Sequence, residues 1–254
     1  MLNREDLSKT PIDFNLYQKE KDYLQHIVLS RVFSSTGLGL TFKGGTALQK
    51  CLGLNRFSGD LDFTASENFS REKLERGLKE VDRFYPCSFT KSENDISLSY
   101  KLKIEGPLFH GQLSTQTIRI DISLREKVLL SPINRMITPL YSDLQPYMVA
   151  FMDPSEIMSE KIRALMTRTK ARDLYDMYFL ILKSVRLDLE LISRKLEFYS
   201  MKFDKNTLNE RVGRLRPQWE KEIPGLVRDV PNFDLVISTI SGIFKSRAYG
   251  GGEK

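Results

Sequence analysis

Apolar residues in the first 35 positions recur at helical intervals. In YLQHIVLSRVFSS, Tyr23, Leu24, Ile27, Val28, Val32 and Phe33 form one stripe, which predicts an amphipathic helix packed on the segments after it. From Leu38 to about Leu140 the period shortens. LTFKG, SGDLDFTA, CSFTK, ISLSYKLKI and TIRIDISL read as strands, and REKLERGLKEV (71–81), entered from Ser70 as N-cap, is the helix among them. Beyond Pro146 helical spacing returns in SEKIRALMTRT, ARDLYDMYFLILK and LELISRKLEFYS, with a further segment near FDLVISTISGIFK. The tail AYGGGEK is expected to be disordered. Without an internal repeat or low-complexity linker, the pattern predicts a mixed α and β region over 1–145, N-terminal helix included, and a helical domain over 146–254.

Composition narrows the classes. With 254 residues and 41% hydrophobic content the chain fills a real core. The net charge of +6 modestly favours a polyanionic partner such as nucleic acid or a nucleoside phosphate. Two scattered cysteines, Cys51 and Cys87, form neither a disulfide framework nor a zinc site, and Cys51 reads as packing. No apolar run approaches the roughly 20 residues of a membrane span, and MLNREDLSK lacks a signal-peptide core, so a reducing cytoplasm is expected. His26 and His110 read as ordinary polar residues, and Trp219 suggests nothing specific.

The chemistry concentrates in FKGGTALQKCLGLNRFSGDLDFTA. On a strand, Ser58, Asp60, Asp62 and Thr64 share one face, and Phe57, Leu61, Phe63 and Ala65 share the other. Two carboxylates at i and i+2 repel unless a cation lies between them, and hard dications choose oxygen ligands; the bland alternative is a pair of solvated aspartates on an edge strand. TIRIDISL places a third carboxylate, Asp121, on a polar face with Arg119 and Ser123. If the two strands are neighbours, Asp60, Asp62 and Asp121 converge on the two-metal arrangement of phosphoryl transfer. Gly44, Gly45 and Thr46, between an apolar strand and a helical run about 15 residues earlier, suit a phosphate-binding helix start to which Thr46 adds a hydroxyl.

In the second half, Asp153, Pro154 and Glu156 make a helix start. Ile157, Met158, Ile162, Leu165 and Met166 define its apolar arc, and Lys161 falls inside it, whereas Glu156, Glu160 and Arg163 point away. An amine so placed needs an anionic partner. RDLYDMYFLIL is apolar on every side and carries Asp173 and Asp176, which either hold Lys161, Arg168 or Arg172 in a structural network or orient Lys161 toward a triphosphate.

With these residues in view, the chain resembles the AbiEii/AbiGii-type nucleotidyltransferases, toxin halves of type IV toxin–antitoxin and abortive-infection systems, related to the MenT toxins. The resemblance rests on KGGTALQKCLGLNRFSGDLDF, RIDIS and EKIRALMTRTKARDLYDMYFL, three blocks over about 140 residues. It implies an α+β fold with a DNA polymerase β-like core, a mixed sheet flanked by helices, and a helical C-terminal region. It also implies Gly44, Gly45 and Thr46 as the phosphate-binding turn, Ser58 as the small hydroxyl before the carboxylates, and Asp60 and Asp62 as metal ligands. Lys161 matches the family's lysine, Asp176 its later aspartate with Asp173 as a rival, and Asp121 the third strand carboxylate.

The expected activity is transfer of an NMP from an NTP, with Mg²⁺ or Mn²⁺, to an acceptor hydroxyl, by resemblance the 3′ end of a tRNA, steered by Arg163, Arg168 and Lys170. A cognate antitoxin acting without a stable complex is the implied partner. Two alternatives stay open: a protein or small-molecule acceptor, and a nucleotide- or RNA-binding module without turnover.

Overall fold

The computed structural model describes residues 1–246; the glycine-rich tail from Ala248 onward lies outside the described residues. The chain divides into two compact units, Met1–Gly53 with Phe57–Met152, and Leu54–Arg56 with the chain from Asp153 onward.

The first unit carries helices α1 (Arg4–Lys9), α2 (Leu16–Thr36), α3 (Gly44–Leu52) and α4 (Arg71–Lys79). Its strands are β1 (Leu40–Lys43), β2 (Asp60–Ala65), β3 (Cys87–Asn94), β4 (Ser97–Ile104), β5 (Gln116–Ser123), β6 (Ile133–Ile137) and β7 (Tyr147–Phe151). They form one sheet in the order β3-β4-β5-β2-β1-β7-β6. The sheet is mixed: β2 runs parallel to β5 and β1 parallel to β7, and the other pairs are antiparallel. The fold is therefore α+β.

Alternation along the strands sorts the two faces. Ile118, Ile120 and Ile122 are buried while Arg119 and Asp121 are exposed. On β2, Leu61 and Phe63 are fully buried, and Phe63 packs 6.0 Å from the ring of Phe33 on α2 and 5.3 Å from Phe42 on β1. Burying a phenylalanine of this kind contributes about 2–3 kcal/mol.

Helix α2 differs from the amphipathic helix its apolar stripe suggests. It is longer, and its polar residues are buried as well: Glu20, Asp22, Gln25 and His26 all lie in the interior. Each finds partners there. Glu20 accepts from the Leu108 amide at 2.7 Å, and Asp22 accepts from Lys50 at 2.8 Å and from the Tyr141 hydroxyl at 3.0 Å. Strands β6 and β7 are additions to the sequence reading; β6 is an exposed edge strand without alternation, and β7 lies between it and β1, antiparallel to the one and parallel to the other.

The second unit carries α5 (Pro154–Thr167), α6 (Ala171–Leu182), α7 (Leu189–Glu197), α8 (Lys205–Gly213), α9 (Arg216–Glu222) and α10 (Phe233–Ser246). Asp153 caps α5, its carboxylate accepting from the Ser155 amide at 2.8 Å, with Pro154 opening the first turn. Glu156 and Glu160 do not point away from the core as expected. Both are buried, and both accept from Lys195 of α7, at 2.6 Å and 3.0 Å, because α5 is enclosed on this side too and the intruding amine is itself fully buried. Among the described residues no helix is long and apolar enough to cross a membrane.

Candidate active site

Strand β1 ends at Lys43 and the chain turns into α3 through Gly44, whose φ of +76° is left-handed and favours glycine. A second constraint acts at the same residue. A β-carbon on Gly44 would overlap Oδ2 of Asp62 and sit 3.0 Å from that residue's Cβ and Cγ. The first turn of α3, with its unpaired amides, therefore lies directly against the carboxylate of Asp62. Lys43, in register with Asp62, is buried and paired with the buried carboxylate of Glu126.

The aspartate strand is held from behind. The hydroxyl of Thr46 donates to the main-chain oxygen of Asp60 at 2.5 Å, and the Gln25 amide donates to the main-chain oxygens of Ser58 and Gly59 at 2.9 Å and 3.0 Å. The Ser58 amide donates to Gln49 at 3.2 Å. Thr46, expected from the sequence to offer its hydroxyl to phosphate, is completely buried, and that hydroxyl ties β2 to α3. Gly44 and Gly45 keep their main-chain amides at the helix start.

Strands β2 and β5 are neighbours. Asp62 pairs in register with Asp121, and Asp60 with Arg119, so all four side chains lie on one sheet face. Asp60 and Asp62 are half-buried; Asp121 is exposed and accepts from the Ser99 hydroxyl at 2.6 Å. Among the described residues no three acidic, histidine or cysteine side chains close around a single point. The donor set still suits Mg²⁺, which keeps several waters and takes one or two carboxylates plus substrate phosphates instead of a full protein cage. Lys21 of α2 stands at the head of β2; burial lowers its pKa, and the nearby Asp60 offsets part of that shift.

In the second unit Lys161 is buried and has the anionic partners its position demands. Its ammonium donates to Asp173 at 3.0 Å and to Asp176 at 2.6 Å. Arg56, which the sequence reading missed, grips Asp176 with two nitrogens at 2.6 Å and 2.8 Å, and Arg168 grips Asp173 at 2.8 Å and 3.0 Å. The result is an alternating row, Arg56–Asp176–Lys161–Asp173–Arg168. Burial raises the pKa of both carboxyls, yet Arg56 and Lys161 hold Asp176, and Lys161 and Arg168 hold Asp173, below the usual carboxylate range. Burial lowers the Lys161 pKa, and the two aspartates more than restore it. Lys161 stays charged.

Asp173 and Asp176, rivals in the sequence, both bind the same amine. Of the cations expected to steer an acceptor, Arg168 is committed to Asp173, and Arg163 lies 4.3 Å over the ring of Tyr199. No local signal marks Arg56, because the three residues Leu54–Arg56 join a unit otherwise built from sequence a hundred residues away.

The family model for the nucleotidyl transferase AbiEii toxin of type IV toxin–antitoxin systems matches residues 27–239. Three solved structures share the fold. MenT4, a nucleotidyltransferase toxin from Mycobacterium tuberculosis H37Rv, superposes with a TM-score of 0.69 at 20% identity, covering 96% of this chain and 89% of that one. JHP933 from Helicobacter pylori gives 0.61 at 20% identity, with 91% and 95% covered. A structure described as a putative nucleotidyltransferase from H. pylori gives 0.60 at 21%, with 92% and 97% covered. No curated protein sequence gives a match.

Proposed function

The chain belongs to the AbiEii family of nucleotidyltransferase toxins of type IV toxin–antitoxin systems, and from that premise we propose that it transfers an NMP from an NTP to the 3′-terminal hydroxyl of an RNA, a tRNA in the first instance, in a reaction that requires a divalent cation. The observation that carries this reading is the pressing of the α3 N-terminus against Asp62, on the same strand face as Asp60. That arrangement offers main-chain amides to phosphate oxygens beside two carboxylates. A divalent cation, when bound, supplies charge neutralisation at the triphosphate and at the attacking hydroxyl.

In the transfer, the acceptor oxygen forms a bond to the α-phosphorus, the bond from that phosphorus to the bridging oxygen breaks, and pyrophosphate leaves; the hydroxyl proton passes to solvent. Asp60 and Asp62 would hold the cation, with Asp121 beside Asp62 on β5. Gly44 and Gly45 cradle phosphate with their amides, and Thr46 and Gln25 set the strand. Lys161, held charged by Asp173 and Asp176 within the second unit, is the lysine that the family resemblance marks as functional. A cognate antitoxin that opposes the toxin without stable binding completes the system.

Incubation of the purified protein with each labelled NTP, Mg²⁺ and total cellular RNA or protein tests the acceptor. Label in the tRNA fraction, removed by blocking the RNA 3′ end, is the expected result. Label only on protein or on a small molecule overturns the RNA assignment.

A further inference from the structure

The sheet face that bears Asp60 continues beyond it across β5, β4 and β3, and there it is open. Register places Arg119 beside Asp60, Lys101 beside Arg119 and Thr90 beside Lys101, with Lys103 one pair further along β4. Lys101, Lys103, Arg119 and Thr90 are exposed, while the alternate residues Leu98, Tyr100, Leu102 and Ile104 are buried on the opposite face. The side chains of Lys101, Lys103 and Arg119 make no hydrogen bond or ion pair among the described residues. Beyond the aspartates this stretch of the face holds no acidic side chain among the described residues, because Glu93 of β3 pairs with Leu98 and so faces the other way.

Two properties of the face identify its occupant. At about 4.8 Å per strand, Lys101, Arg119 and Asp60 form a line of about 10 Å that ends at the proposed metal ligand. No aromatic ring of the described strands stands on it: Phe89 and Tyr100 of β3 and β4 turn to the other side, their centroids 5.7 Å apart. Such a surface matches a chain of phosphates and offers no ring on which bases stack. The α3 N-terminus and β1 flank β2 on one side while β5 and β4 flank it on the other, so the triphosphate and this row occupy opposite flanks of the aspartate strand.

We propose that the exposed β5–β4 face, through Lys101, Lys103 and Arg119, is the track on which the phosphodiester backbone of the acceptor RNA runs to Asp60. The proposal rests on the reading that the acceptor is RNA. It moves acceptor binding to the sheet from Arg163, Arg168 and Lys170; the first two are already engaged within the second unit.

The test is a Lys101→Ala/Lys103→Ala double variant of the full chain, compared with wild type by fluorescence anisotropy on labelled RNA oligomers of several sequences at a series of salt concentrations. Both lysines are exposed strand residues, and an unchanged thermal midpoint verifies the fold. The expected result is an affinity lower by about tenfold for every sequence, with a log–log salt slope shallower by about 1.4, and unaltered NTP binding. Equal affinity and slope in the two proteins overturn the track. Transfer is scored separately: RNA binding that depends on the lysines, in a protein that labels no RNA, refutes the acceptor reading and leaves the track standing. RNA labelling with lysine-independent binding does the reverse.

Discussion

Arg56 and Asp176 form a two-nitrogen, two-oxygen ion pair with both side chains buried, although 120 residues separate them in the chain. Asp176 is completely enclosed, and its remaining contact is with Lys161. Arg56 stands four residues before Asp60 in the sequence, so one short segment supplies both the clamp of the second unit and the start of the aspartate strand. Removing the guanidinium leaves a buried carboxylate with one cation in place of two. Arg56→Ala is expected to destabilise the second unit by about 3 kcal/mol, read from urea unfolding. Arg56→Lys restores only part of it, because a lysine cannot reproduce the two-pronged geometry.

Gly44 and Gly53 bracket α3, with φ of +76° and +74°, yet their surroundings differ. Space around Gly53 is open, whereas a β-carbon on Gly44 meets Asp62. Alanine at either site costs about 1–2 kcal/mol of backbone strain. Only Gly44→Ala displaces a proposed ligand. Nucleotidyl transfer is therefore expected to fall at least about tenfold in Gly44→Ala and to persist in Gly53→Ala, with the larger loss of stability in Gly44→Ala, which adds the collision with Asp62 to the backbone strain. Equal transfer rates would contradict the close approach of Asp62 to the helix start.

His26 gives the protein an acid limit. Burial, and then the charge of Lys50, lower its pKa from 6.5 to about 4, against the opposing pull of Asp22. Between those values the unfolded chain takes up a proton that the folded chain refuses, so stability is complete above pH 6.5 and falls as the pH drops toward 4. The loss from this group is on the order of 3 kcal/mol. Urea midpoints measured from pH 7 to 4 should show it, and His26→Gln should flatten the profile over that interval. Asp22 contributes its own loss only below the ordinary carboxylate range, since its pKa is also lowered.

Much of this site is legible in the sequence. The alternation of Asp60, Leu61, Asp62 and Phe63, and of Arg119, Ile120, Asp121 and Ile122, identifies which side chains share a face, because strand periodicity is a local property. Lys161 stands out because an amine within an apolar arc demands a counter-ion. The hidden features depend on distant chain. Glu156 and Glu160 read as solvated until Lys195 arrives from α7, and the Thr46 hydroxyl reads as a phosphate donor until the Asp60 carbonyl takes it. Arg56 gives no periodic signal, and the edge strand β6 lacks alternation.

We propose Asp60 and Asp62 as the cation-dependent transfer site. The most direct test is the rate at which label from an NTP enters RNA in wild type, Asp60→Asn and Asp62→Asn, with Mg²⁺ and with a chelator, in proteins of matched thermal stability. Transfer is expected in wild type with Mg²⁺, with a loss of about a thousandfold or more in each variant and on chelation. Transfer by either variant at the wild-type rate would contradict the proposal.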